Sequence, residues 1–291
     1  MPSQLLPLVT AELNGAADPR AAAMAGALAA KYPRAARAVL FYGSCLRERN
    51  LDGLMLDFYL IVSDYAAAYG KGWLARANRL IPPNVFPFEH NGLIAKYAVL
   101  SEADFARLNG VEADNVSVWA RFAQPSRLLW ASDDLARRRA ITAVAQAAPT
   151  LLSLARPMAQ EADALTLWQT GFTLTYDAEL RAEKKGRSLS IVDADPDRYR
   201  RFGEAALADG LPPSPQDAPA LWQRLQRRGK RLSVMRLAKA SFTYAGGIDY
   251  LAWKINRHAG TKMEIRPWQR RWPLLGAVTL LPRLFRGGAI R

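Results

Sequence analysis

A chain of 291 residues, half of them apolar and a tenth aromatic, can bury a sizeable core, which excludes a disordered chain. A single cysteine, Cys45, excludes an internal disulfide framework and a cysteine-rich zinc site. The net charge of +14 sits at one end: Arg224–Arg291 holds 16 Lys/Arg against two acids, Asp249 and Glu264, while residues 1–223 balance at 24 of each sign. A neutral body with a basic end points to an anionic partner: a nucleic acid, an acidic membrane surface or a phosphorylated substrate.

The N-terminus, Met1–Glu12, lacks the basic start and cleavage pattern of a signal peptide. The alanine run at Ala21–Ala30, flanked by Arg20, Lys31 and Arg34, reads as part of a docked helix over 19–36. Ala38-Val39-Leu40-Phe41-Tyr42 is an apolar run of strand length stopped by Gly43-Ser44. Met55–Val62 is a second such run with one carboxylate, Asp57, in its middle. Residues 65–80 read as a helix ended by Pro82-Pro83. Leu93–Leu100 is a third buried-type strand, carrying Lys96, and Ser101-Glu102-Ala103-Asp104 then starts a helix with a cap pattern. Helices are predicted over 133–155, 160–182, 198–208, 219–240 and 247–258, with Gly210–Pro215 as the clearest linker. The pattern is a mixed α/β front and a helical back.

A Gly-Ser turn after a strand can bring backbone N–H groups and a hydroxyl against a triphosphate. A carboxylate on the neighbouring strand can hold a divalent ion that bridges phosphates during in-line displacement. A carboxylate within Met55–Val62 is costly to bury without a partner, and Lys96 poses the same problem with opposite sign. The plain structural alternative is that Asp57 and Lys96 pair with each other.

Phe41-Tyr42-Gly43-Ser44, then Met55-Leu56-Asp57-Phe58 running into Val62-Ser63-Asp64, resembles the mitochondrial translocator-maintenance type of phosphatidate cytidylyltransferase. Three further stretches match that family in the same order: Asn84-Val85-Phe86 before Gly92–Ser101, Trp119 to Pro125, and Leu174-Thr175-Tyr176 with Glu179-Leu180-Arg181 and Ser190-Ile191-Val192. The resemblance covers residues 35–205. It implies a nucleotidyltransferase-fold core, placed over residues 1–130, and a smaller winged-helix-like helical domain over 131–210; the basic, aromatic-rich remainder, 211–291, is expected from its composition to associate with a membrane. The implied reaction is CTP plus phosphatidate giving CDP-diacylglycerol and pyrophosphate with Mg2+, a step of phospholipid biosynthesis. On this resemblance Tyr42, Gly43, Ser44 and Arg121 bind the nucleotide, Asp57 and Glu179 hold the metal, and Lys96 and Arg181 join Asp57 in catalysis.

Departures from the family pattern are Cys45 in place of a second glycine, Arg47-Glu48-Arg49 in place of its usual continuation, and alanine-rich 65–80 in place of a tryptophan–histidine segment. Met55 stands where the wider superfamily has a second acid, so Asp52, Asp64 and Glu179 are the candidates for a second metal ligand. His90 and His258 are expected to be structural or exposed. A phosphate oxygen is already anionic and needs no histidine base; positioning and charge neutralisation are expected to carry the reaction.

The basic end alternates guanidinium groups with indoles at Trp268, Arg270, Arg271 and Trp272, a composition suited to an anionic membrane surface. No stretch reaches the roughly 20 apolar residues of a spanning helix. A cytoplasmic protein, peripheral on the inner membrane face, is expected, with CTP and phosphatidate or a related anionic lipid as partners and no stable nucleic-acid partner. The alternatives are a nucleotidyltransferase acting on RNA or tRNA, and a non-catalytic membrane-surface adaptor with a degenerate core.

Overall fold

The structure, a computed structural model, describes residues 2–47, 50–70, 72–178, 191–243 and 266–267. Five strands form one mixed sheet: β1 (Ala36–Tyr42), β2 (Met55–Val62), β3 (Asn84–His90), β4 (Leu93–Ser101) and β5 (Ser126–Ala131), in the order β3-β4-β2-β1-β5. The β2–β4 pair is parallel and every other pair antiparallel. The three strands legible as apolar runs are the three central ones, where both faces are covered and a polar alternation would be costly. The two edge strands were not read from sequence. β3 carries Pro87, tolerated at an edge where the missing N–H breaks no inner ladder.

Helices α1 (Leu5–Leu13) and α2 (Pro19–Ala30) precede the sheet. Asp18 caps α2 by accepting from the Arg20 N–H, and Pro19 occupies the first turn, where its missing N–H costs nothing. The helix ends at Ala30, shorter than the predicted 19–36, with Pro33 following and β1 starting at Ala36. Its Ala21, Met24, Ala25 and Leu28 bury one stripe against the sheet face made by Val39, Phe41, Phe58, Leu60 and Val99.

The helix predicted over 65–80 is two helices, α3 (Tyr65–Tyr69) and α4 (Trp73–Leu80). Gly70, at φ +68°, takes a left-handed conformation that breaks the first, and Gly72 begins the second. Ser101 caps α5 (Glu102–Asn109) through the Asp104 N–H, as the cap pattern predicted. After the short α6 (Trp119–Phe122) and β5, the described residues are helices and connections. The helix expected over 133–155 is α7 (Asp134–Ala145) and α8 (Ala147–Ala155). Pro149 cannot supply the N–H of an unbroken helix, so the chain restarts at Ala147.

Then follow α9 (Ala164–Ala178), α10 (Pro196–Asp209) and α11 (Ala218–Thr243). These helices and the second sheet face share one buried cluster, from Leu5 through Leu40, Tyr59, Ile61, Leu100 and Phe122 to Trp168, Phe202 and Leu225. Buried indoles fasten the layers: Trp168 Nε1 donates to the Tyr199 carbonyl at 2.8 Å and Trp222 Nε1 to the Leu154 carbonyl at 3.0 Å. No helix among the described residues is long and apolar enough to cross a membrane. The helix predicted over 247–258 lies outside the described residues.

Candidate functional site

Strand register assembles the candidate site. Tyr42 lies opposite Asp57 in the β1–β2 pair, and Asp57 lies opposite Lys96 in the β2–β4 pair. Ser126 of β5 lies opposite Tyr42, and Pro87 of β3 opposite Lys96. These five residues form one row across the whole sheet. Alternation along each strand puts Asp57 on the face of Tyr59 and Ile61, and Lys96 on that of Ala98 and Leu100, the face covered by the later helices. The Tyr42 ring packs on Tyr59 and Phe122 at centroid distances of 5.3 and 6.0 Å.

The Asp57 carboxylate is enclosed on two sides. Lys96 Nζ lies 3.0 Å from its Oδ1, so the two charges offset each other's burial. That contact lacks the alignment of a hydrogen bond, and the solvent-inaccessible Oδ1 accepts none from the described residues. On the other side stands Gly43 at φ +92°, where a Cβ would come 3.2 Å from Asp57 Oδ2 and 3.6 Å from its Cβ. The bend thus needs glycine for its conformation and for the closeness of the carboxylate. A short 3-10 turn, Ser44–Arg47, follows, closed by Leu46 N–H donating to the Gly43 carbonyl at 3.2 Å. Ser44 is exposed, while Cys45 is buried and donates from Sγ to the Met55 carbonyl at 3.4 Å. That contact ties the bend to the start of β2. Gly43→Ala is expected to cost about 1–3 kcal/mol of stability from backbone strain and to push the carboxylate aside. Urea unfolding checks the first effect, and a weaker Asp57–Lys96 coupling in a double-mutant cycle checks the second.

Arg121 sits on α6, one residue before the Phe122 that packs on Tyr42. Its Nη1 donates to the Ser117 carbonyl one turn back, an internal bond of the kind expected for a helix-end arginine. A second guanidinium, not singled out from sequence, reaches the same residue: Arg236 of α11 donates from Nη1 to Ser117 Oγ at 2.5 Å and from Nε to the Pro82 carbonyl at 2.8 Å. One helical turn on, Lys239 donates from Nζ to the carbonyls of Ile81 and Pro83. In sequence these two looked like any other charges of the basic end; only the docking of α11 against the approach to β3 distinguishes them.

Burial, followed by the neighbouring Arg236 charge, pushes the Lys239 ammonium down to about 7. A neutral amine retains two N–H donors, which suffice for the two carbonyls. The unfolded chain keeps this proton up to about 10.4, so the unfolded state binds more protons between the two values. Stability therefore rises with pH across that interval, and the penalty is full below its lower end. Lys239→Met is expected to flatten this rise. Urea midpoints for both proteins near pH 6 and near pH 9.5 provide the check, and parallel slopes would remove Lys239 as the cause.

The proposed second metal ligands Asp52 and Asp64 are engaged elsewhere: Asp52 pairs with Arg20 at 2.7 Å, and Asp64 caps α3 by accepting from the Ala66 and Ala67 N–H groups. No three His, Cys, Asp or Glu side chains among the described residues gather as a metal site. Glu179, Arg181, Trp268, Arg270, Arg271 and Trp272 lie outside the described residues. Asp57 is the single carboxylate of the row, its Oδ1 is already paired with Lys96, and an ion held there would have to take its other ligands from nucleotide phosphates and water. No family model matches the chain, and no curated protein matches it.

Proposed function

We propose that this chain is a cytidylyltransferase that joins CTP to phosphatidate, or a closely related lipid phosphate, at the inner face of a membrane, releasing pyrophosphate. One observation carries the reading: a carboxylate wedged between a left-handed Gly-Ser bend and a lysine, in register across three adjacent strands. On this reading the sheet is a nucleotidyltransferase-type core, and the helices after β5 include the smaller winged-helix-like domain.

The Gly43–Ser44 bend offers N–H groups and an exposed hydroxyl to the triphosphate. Lys96 supplies positive charge where phosphate charge accumulates, and Arg121 a second cation on the adjoining helix. Magnesium bound with the nucleotide would be held by Asp57 and would draw charge from the phosphate oxygens. The phosphatidate oxygen forms a bond to the α-phosphorus of CTP. The bond from that phosphorus to the bridging oxygen breaks, and pyrophosphate leaves with the electron pair. The attacking oxygen is already an anion, so no side chain need remove a proton from it, in keeping with a site built without histidine.

The test is incubation of the full chain with CTP, magnesium and phosphatidate vesicles, following pyrophosphate and CDP-diacylglycerol together. Both products are expected in equal amounts. Pyrophosphate release only with an RNA acceptor would assign the chain to RNA instead, and no release with any lipid phosphate would end the proposal.

A further inference from the structure

The segment Tyr65–Phe88 holds three charged residues, all cationic: Lys71, Arg76 and Arg79. Within it α4, Trp-Leu-Ala-Arg-Ala-Asn-Arg-Leu, buries only part of its apolar surface. Its inward face carries Ala75 and Asn78, both buried, with Leu74 half-buried beside them. Asn78 Nδ2 donates to the Val99 carbonyl at 2.9 Å and its Oδ1 accepts from the Asn84 N–H. Asn84 Nδ2 in turn donates to the Leu74 carbonyl at 3.0 Å. These bonds set the rotation of the helix about its axis, so its outward face is a fixed feature of the fold.

That face presents Trp73 at 54% exposure and Leu80 at 78%, with Arg76 and Arg79 also exposed. At about 100° per residue, Trp73, Ala77 and Leu80 lie within a sector of about 60°, and both arginines flank it on one side. The two buried residues of the helix are an alanine and an asparagine, while a large indole and a second leucine are held outward. An indole at headgroup depth beside guanidinium groups matches an anionic lipid surface, which takes the apolar side chains into its acyl boundary and pairs its phosphates with the cations.

We infer that α4 lies flat on an anionic bilayer, with Trp73 and Leu80 entering the headgroup–acyl boundary and Arg76 and Arg79 meeting lipid phosphates. This deepens the function proposed above by naming the surface that meets the lipid, and rests on that reading only in its choice of a lipid phosphate as partner.

The test is flotation of the full chain with phosphatidylcholine vesicles, with and without about 30% phosphatidate. Trp73→Ser with Leu80→Ser is expected to weaken binding to the phosphatidate vesicles about tenfold or more. Arg76→Gln with Arg79→Gln is expected to weaken it by a similar factor at low salt, and by less at high salt. Circular dichroism of each variant should match wild type, so that a loss of binding reports the face and not unfolding. Unchanged binding of both double variants overturns the inference. So does a wild-type chain that floats with neither vesicle, or serine variants that lose only self-association in sedimentation velocity, which would make a second copy the occupant. Pyrophosphate release from CTP with a short-chain, water-soluble phosphatidate separates the two proposals: the serine variant should retain it, and a wild-type chain that binds vesicles but lacks it would sink the chemistry alone.

Discussion

Asp57→Asn is expected to lower CTP-dependent pyrophosphate release by at least about a hundredfold, the scale of losing one preorganised electrostatic group, while the unfolding free energy from urea curves stays within about 1 kcal/mol of wild type. The substitution keeps the shape that Gly43 accommodates and removes the charge that faces Lys96. Lys96 remains at the edge of solvent, with a third of its side chain exposed, so its ammonium is not stranded in an apolar interior. A pair that exists only to neutralise itself would show the reverse: a loss of stability with catalysis intact. Lys96→Met should also abolish release, and the two losses should fail to add if both groups act on one phosphate. Pyrophosphate assays beside urea curves for the two single variants and the double variant decide between these outcomes, and full activity in Asp57→Asn removes that carboxylate from the site.

Glu12→Ala is expected to cost about 3–5 kcal/mol of folding free energy, because it strands a buried cation. Arg198 is 4% exposed and its guanidinium meets Glu12 through two bonds, Nε to Oε2 at 2.5 Å and Nη2 to Oε1 at 2.9 Å. The same group donates from Nη1 to the Ala123 carbonyl at 3.2 Å and lies over the Tyr199 and Phe202 rings at 4.8 and 4.3 Å. Burial works against its charge, but the hydrogen bonds and charge of Glu12 outweigh burial and hold the guanidinium above its ordinary value. This clamp joins α1, α10 and the end of α6, so the loss should also loosen the helix that carries Arg121. Replacing both partners by methionine is expected to recover most of the stability, since no unpaired charge is then left inside. Urea unfolding of the two variants measures both effects, and a fall of less than about 1 kcal/mol for Glu12→Ala would show that water reaches Arg198.

The central strands were legible because each is a short unbroken apolar run, and Asp57 and Lys96 stood out as the single charges within such runs. Gly43 was legible as a turn residue, though not as the wall of a carboxylate pocket. The edge strands escaped: Pro87 argues against a strand anywhere but at an edge, and Ser126–Ala131 is short and half-exposed. The joined helix over 65–80 was misread because one left-handed residue, Gly70, outweighs the helical preference of its alanine-rich neighbours. The outward turn of the α4 tryptophan has no signal in local sequence, since the asparagine bonds that set the helix rotation are made to residues six to twenty-one positions away.

Local sequence by itself determined the α/β front, the helical back, the cap at Ser101 and the identity of two misplaced charges. Each of these depends on neighbours a few residues apart. Tertiary structure alone decided that Asp57 meets Lys96 thirty-nine positions on, that Gly43 closes on the same carboxylate, and that Arg236 joins Arg121 at Ser117. Parallel register across a long crossover, and the docking of a helix far along the chain, are set by burial of the whole core, which no local pattern encodes.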